Sequence, residues 1–134
     1  MKIVSACLAG IGCRYDGKAT PDPEVIELIK RGQAIPVCPE QLGGLPTPRI
    51  PAEKKDGRVF TKEGKEVTGQ FERGAREARR IAGLIGCREA ILKAESPSCG
   101  FGKIHDGSFS GKLIAGEGVF AGMLREDGIE ISVR

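Results

Sequence analysis

Tryptophan is absent, tyrosine and histidine occur once each, and aromatic residues make up 4% of the 134 positions. Any core must be built from aliphatic side chains, and a hydrophobic fraction of 40% is enough for one. No apolar run approaches the ~20 residues needed to cross a bilayer, and Met1-Lys2 leads into Ile3-Val4-Ser5-Ala6 without a secretory h-region. Neither a membrane partner nor export is expected, and the cytoplasm is the expected location. Blocks of like charge are also missing. The net charge is +3 with Lys and Arg scattered among acids, which gives an RNA substrate little support and leaves a small anionic or neutral ligand equally compatible. The sole histidine lies in Lys103-Ile104-His105-Asp106-Gly107, which reads as a solvated turn and supports no Cys-His or Ser-His pairing. C-x-x-C pairs are absent, and Gly10-x-Gly12 alone does not make a dinucleotide site.

What the chain does have is five cysteines, an odd count that argues against a disulfide framework in a reducing compartment. Metal binding or catalysis becomes the question. Four of the five sit in Gly- or Pro-rich stretches.

The length suits one domain spanning residues 1–134. Lys2 to Ala6 reads as a buried strand opening into a loop with Gly10, Gly12 and Gly17, which holds Cys7 and Cys13. Asp22 as N-cap and Pro23 at the first helical position start a helix with Val25, Leu28 and Ile29 as its apolar stripe, closed by Gly32. Ala34 to Val37 fits a second strand before Cys38-Pro39-Glu40, and 43–51 reads as a stiff, extended surface loop. Residues 52–66 look like a charged excursion with a short strand at Arg58 to Thr61. From Thr68 to about Leu84, Phe71, Ala75, Ala78, Ala82 and Ile85 recur at helical spacing. Glu89 to Lys93 supplies a third strand, Val119 to Leu124 a last helix ending near Gly128, and Ile129, Ile131 and Val133 a half-buried final strand. This alternation predicts an α/β fold, a single doubly wound Rossmann-like domain with a mainly parallel sheet.

Ligands bind such sheets beyond the carboxyl ends of the strands. Cys7, Cys38 and Cys99 each follow a predicted strand, so three distant thiols are expected at one sheet edge. Thiolates select iron-sulfur clusters, zinc or copper(I), and single cysteines on three loops resemble cluster ligation more than a zinc finger. Small residues buried in tight loops are the competing reading. Cys13 could be a fourth ligand, a catalytic thiol or a loop residue; Cys87 reads as core. If three cysteines hold a cubane, one iron lacks a protein ligand and can act as a Lewis acid toward a soft donor. Glu40, two residues after Cys38, has the strongest case as proton carrier, with Asp16 and Glu95 as the other nearby acids. Ser96 and Ser98 can donate hydroxyl hydrogen bonds or cap the turn before Gly100. Arg14-Tyr15-Asp16-Gly17 and Pro48-Arg49 could grip a ligand's polar edge.

Taken together, Val4-Ser5-Ala6-Cys7-Leu8-Ala9-Gly10 with Cys13-Arg14-Tyr15-Asp16-Gly17, Val37-Cys38-Pro39-Glu40, Gly43-Gly44-Leu45-Pro46-Thr47-Pro48-Arg49 and Ser96-Pro97-Ser98-Cys99-Gly100 resemble the thiouracil desulfurase family. The resemblance extends through Asp106-Gly107-x-Phe109-Ser110-Gly111-Lys112 and Gly118 to Leu124. It implies an enzyme that removes sulfur from thiolated pyrimidines such as thiouracil, without redox change, by means of a 4Fe-4S cluster. The implied cluster ligands are Cys7, Cys38 and Cys99, with Cys13 possible, the acid/base group is Glu40 and the essential serine Ser96. Leu8-Ala9-Gly10 departs from the family's usual pair of leucines, which bears on substrate range. A non-catalytic carrier of iron, sulfur or a cluster would need the same cysteines but not Glu40 or Ser96. A ligand-binding domain with free thiols is a third reading.

Overall fold

The computed structural model of the protein describes residues 1–134. The chain opens with strand β1 (Lys2–Ser5), a 3-10 turn at Ala6–Ala9, helix α1 (Pro23–Lys30) and strand β2 (Ala34–Val37). Helix α1 begins where the sequence signals it: Asp22 Oδ1 accepts from the backbone N–H of Glu24 (2.9 Å) and Val25 (3.3 Å), and Pro23 occupies a position whose N–H would be unpaired anyway. A single helical turn, α2 (Pro39–Leu42), follows β2, with Cys38 as its N-cap.

Next come β3 (Ala52–Lys55) and β4 (Arg58–Thr61), an antiparallel hairpin, then the long helix α3 (Thr68–Leu84) and strand β5 (Glu89–Leu92). A second antiparallel hairpin, β6 (Phe101–His105) with β7 (Leu113–Glu117), precedes α4 (Val119–Glu126) and β8 (Glu130–Val133).

Four strands form one parallel sheet in the order β2-β1-β5-β8. Both faces of its centre are covered, which is why β1 and β5 read as apolar runs rather than alternating patterns. Ile3, Ala90 and Leu92 pack with Ala75, Ala78 and Ala82 of α3 and Phe120, Ala121 and Leu124 of α4. Val4 and Ile91 point the other way, onto Val25 of α1. The chain order reverses beside β1, where β2 lies on one side and β5 on the other, and this reversal opens a crevice at the carboxyl edge.

The expected strands and helices of the parallel sheet are found within one or two residues, and Thr68–Leu84 matches at both ends. The two hairpins are where expectation and structure part. The excursion at 52–66 contains the expected strand at Arg58–Thr61 but also its partner β3. Lys103 to Gly107 is not a solvated turn: residues up to His105 belong to β6. Glycine, lysine and histidine give β6 no alternating apolar face, and Ile104 is its one buried residue. The period-2 signal that reveals a strand is therefore missing.

The loop carrying Cys38 and Glu40 is fixed by a close backbone approach. A Cβ on Gly74 of α3 would lie 1.7 Å from Pro39 O, and one on Gly43 would lie 2.0 Å from Gln70 O. Neither glycine has a positive φ, so space and not backbone freedom demands them. Gly74→Ala is expected to cost at least the ~1–3 kcal/mol typical of overpacking. Gly83→Ala, in the same helix but with nothing within 4 Å of its Cβ, should gain about 0.5–1 kcal/mol. Urea unfolding of the two variants checks both signs.

Candidate active site

Beyond the carboxyl edge of the sheet lies a cavity of about 420 Å³. Cys7, Cys13, Cys38, Cys99, Glu40 and Ser96 all line it. The structure brings these six residues to one cavity at the sheet edge. Cys7 lies in the 3-10 turn after β1, Cys38 caps α2 after β2, and Cys99 ends the turn after β5. That last turn is anchored at both ends. Ser98 O accepts from Phe120 N (2.9 Å) and Ala121 N (3.1 Å), so the free N–H groups of α4 hold the segment carrying Cys99.

Cys87 is elsewhere, in the core under α3, with its thiol 3.0 Å from Glu89 O. All five cysteines are free.

Cys13 is drawn further into the site than its sequence context suggests. Its thiol is within hydrogen-bonding reach of both Cys7 and Cys38, and Cys38 Sγ lies 3.8 Å from its carbonyl oxygen. As donor it lowers the proton affinity of Cys7 and of Cys38, against burial, which raises both; the Gln41 backbone N–H adds to the lowering at Cys38. Cys13 itself is pushed upward by the same two contacts and by burial. One S–H proton serves one thiolate at a time, so Cys7 and Cys38 ionise as a linked pair while Cys13 keeps its proton. Cys99 is pushed up to about 12, chiefly by burial, with a hydrogen bond to Ser5 opposing. Ser5 Oγ accepts from Lys93 N at 2.9 Å, which leaves its proton for the Cys99 sulfur. Cys38 and Cys99 each have one donor besides the other thiols, Gln41 N–H and Ser5, while the Thr20 hydroxyl near Cys7 is buried with no hydrogen-bond partner.

Glu40 is four-fifths buried, with 18% of its side chain exposed, and its partner Arg49 has 7%. Burial raises the carboxyl's proton affinity and outweighs the lowering by the guanidinium, whose Nε donates to Oε1 at 3.1 Å. Sequence reasoning offered Arg49 as a grip on a ligand, and it does line the cavity. Four of its five N–H groups are already engaged by the protein: Glu40, Pro46 O (3.2 Å), Thr47 Oγ1 (3.0 Å) and Cys13 O (2.9 Å). Arg49 thereby pins the Cys13 loop to Glu40.

Ser96 plays the capping part allowed for it, its Oγ accepting from Ser98 N (3.1 Å) and Cys99 N (3.0 Å). The hydroxyl proton is not used by either bond. Ser98 does not line the cavity; its hydroxyl is buried without a partner. Arg14 and Tyr15 do line it, whereas Asp16 closes its own turn by accepting from Lys18 N (3.0 Å). His105, read as solvated, also lines the cavity, with Nδ1 buried and unpaired and Nε2 4.0 Å from Glu95. Lys93, Glu53, Lys62 and Phe109 line it too; Phe109 lies in a stretch that carries the family resemblance, but none of the four stands out in the sequence as a site residue, since each sits on a hairpin or strand end without a chemical signature.

Comparison with known proteins agrees with this geometry. The family model described as 2-thiouracil desulfurase matches residues 3–134. This chain belongs to the 2-thiouracil desulfurase family. A solved structure of the 4Fe-4S-dependent thiouracil desulfidase TudS (DUF523Vcz) superposes with a TM-score of 0.93 at 45% identity, covering 98% of this chain and 89% of that one. The uncharacterized protein YbbK of Bacillus subtilis (strain 168) is 40% identical over 141 residues, 98% of this chain and 93% of its own. Family membership accounts for the α/β fold with its parallel four-stranded sheet and makes an enzyme of desulfurase type the class to which the cavity belongs.

The thiols differ enough to be told apart chemically. In metal-free, reduced protein at neutral pH, iodoacetamide should label Cys38 first, since it is the most exposed of the four cavity thiols and its proton affinity is lowered. Cys13 and Cys99, both buried and both pushed upward, should react last of the four. Peptide mass mapping against time gives the order.

Proposed function

We propose that the protein is a cytoplasmic iron-sulfur-dependent desulfurase that hydrolyses the C–S bond of a small thiolated pyrimidine such as thiouracil. The observation that carries this reading is the gathering of four thiols, Glu40 and Ser96 around one cavity of about 420 Å³. That volume is of small-molecule size.

The donor set suits an iron-sulfur cluster. Cys7, Cys38 and Cys99 come from three loops, with Gln41 N–H beside Cys38 and Ser5 beside Cys99, and such donors tune thiolates bound to iron. Cys13 shares the Cys7 and Cys38 contacts and is the fourth thiol in reach. Bound through three thiolates, a 4Fe-4S cluster supplies one iron free of protein ligand, a Lewis acid for the soft sulfur of a thiocarbonyl.

The remaining work falls to the chain. Arg49 occupies Oε1 of Glu40 and fixes the carboxyl's direction, so proton exchange with water or substrate falls to Oε2. A carboxyl whose proton affinity burial has raised is suited to take a proton from an attacking water and return it to the leaving group. Ser96 has its oxygen held by two backbone N–H groups, which orients its remaining proton toward a ligand in the cavity. The walls formed by Ala6, Val37, Pro39 and Pro51 limit the water around these groups.

Protein purified without oxygen should hold about one 4Fe-4S cluster by iron and sulfide analysis and convert thiouracil to uracil. Alanine at Cys7, Cys38 or Cys99 should abolish cluster retention, and Cys87→Ala should leave it intact. Full cluster content in Cys38→Ala would refute the ligand set. Glu40→Gln should keep the cluster and lose about 10²–10⁴-fold in turnover, the usual share of a general acid or base. Parent-like turnover in that variant would remove Glu40 from the mechanism. A parent protein that holds a cluster without turning over thiouracil would point to the carrier reading instead. Ser96→Ala is a less clean probe, because it also deprives Ser98 and Cys99 of their acceptor.

A further inference from the structure

Six aromatic residues are present, and four have evident structural work. Phe71 and Phe120 are buried in the core, Phe101 packs against it, and Phe60 lies under the Arg58 guanidinium at 5.1 Å. Phe109 belongs to no hydrophobic cluster. It sits in the connection between β6 and β7 and lines the cavity that holds Glu40 and the four thiols.

Its backbone is costly for its residue type. Phe109 has φ +56°, a left-handed conformation in which a glycine or asparagine would be more at ease than a bulky side chain. The conformation is held from outside the hairpin. Glu53 on β3 turns one oxygen, Oε1, toward the tip, where it accepts from Gly107 N (3.0 Å) and Phe109 N (3.1 Å). Gly107 lies so close to β3 that an added Cβ would stand 2.6 Å from Lys55 Cβ. Within the tip, Asp106 Oδ1 accepts from Ser108 N (2.9 Å) and the Ser108 and Ser110 hydroxyls are 2.6 Å apart. The two hairpins are thus clasped together, and the clasp fixes a strained aromatic at the cavity wall. Strain of this kind persists where surrounding contacts impose it, and it concentrates at ligand sites.

Tyr15, the sixth aromatic, and His105 also line the cavity, but the Tyr15 ring carries the Arg14 guanidinium 5.9 Å from its centroid and His105 lies 4.0 Å from Glu95; Arg14, Lys62, Lys93 and Glu53 are polar or charged. They suit the edge of a heterocycle and not its faces. Resting on the desulfurase reading above, we propose that Phe109 is a specificity-determining residue that stacks on the ring of the planar pyrimidine, and that Glu53 is the positioning residue that holds it there. A stack formed equally in the ground state and the transition state changes KM and leaves kcat.

The test uses cluster-loaded protein, 2-thiouracil as substrate and uracil as a non-reacting ligand measured by calorimetry. Phe109→Ala and Phe109→Asn should weaken uracil binding and raise KM by about 5- to 150-fold, the span that alanine substitution gives for one stacked base, with kcat little changed. Phe109→Tyr should behave as the parent. Phe109→Asn should melt at or above the parent temperature, because asparagine tolerates the left-handed backbone. Glu53→Gln, which weakens the acceptor, should raise KM in the same direction. Unchanged KM and uracil affinity in the alanine and asparagine variants would overturn the stacking role. A loss of melting temperature in Phe109→Asn parallel to its loss of affinity would assign Phe109 to packing and overturn it equally. A parent protein with its cluster that leaves thiouracil untouched would instead strike the desulfurase reading on which this rests.

Discussion

The architecture depends on β1 lying between two parallel neighbours. Ser5 pairs with Val37 of β2, while Ile3 and Val4 pair with Ala90 and Ile91 of β5, so three strands end at the same edge. Parallel pairing leaves no freedom about which ends coincide. Whatever residues follow these strands must emerge together, and here they are Cys7, Cys38 and the turn leading to Cys99. Ser5 shows how tight the coupling is. Its backbone belongs to the ladder with β2, and its hydroxyl bridges Lys93 N to the Cys99 sulfur. Core and site are therefore one piece of structure, and a shift of β1 against β5 would move a thiol.

Arg49 sets the second constraint. Burying a guanidinium and a carboxylate together is expensive unless each remaining donor finds a partner. Arg49 meets that condition with four acceptors from three stretches of chain: Glu40, Pro46 and Thr47, and Cys13. Loss of the arginine would strand Glu40 in a poorly solvated place and release the Cys13 loop at the same time. An arginine among prolines in a surface loop looked like a ligand contact because sequence shows charge and not saturation. Only the partners reveal that most of its donors are already taken.

The parallel sheet was legible because each of its elements carries a local signal. Asp22-Pro23 marks a helix start, Phe71 to Ala82 a helix face, and Ala34 to Val37 a strand closed by a cysteine and a proline. The thiols were legible because cysteine is chemically conspicuous, and the family resemblance then assigned roles to Glu40 and Ser96 that spacing alone could not. The roof of the cavity was not legible. Strands β3 and β6 are rich in Lys, Glu and Gly, and they are positioned by long-range contacts such as Glu53 with the 107–109 tip. A bond between residues more than fifty positions apart leaves no trace in a local window. For that reason His105 reads in the sequence as part of a solvated turn, and the place of Glu53 and Phe109 at the cavity stays hidden.

Charge explains why the cavity mixes cations among its thiols. Cysteines bind metal as thiolates, so loading the site must expel the proton that burial holds on Cys99 up to about pH 12. Lys93 and Arg14 lower the proton affinity of Cys7, and Arg49 does the same for Cys38, so positive charge sits where thiolate charge must form. Glu40 works against them, raising both Cys38 and Cys99. That opposition is reciprocal: thiolates beside Glu40 favour its protonated form, as burial already does. The pairing with Arg49 holds the carboxyl back from permanent neutrality. The thiols and Glu40 therefore titrate together, the charge on the sulfurs adjusting the group that handles protons.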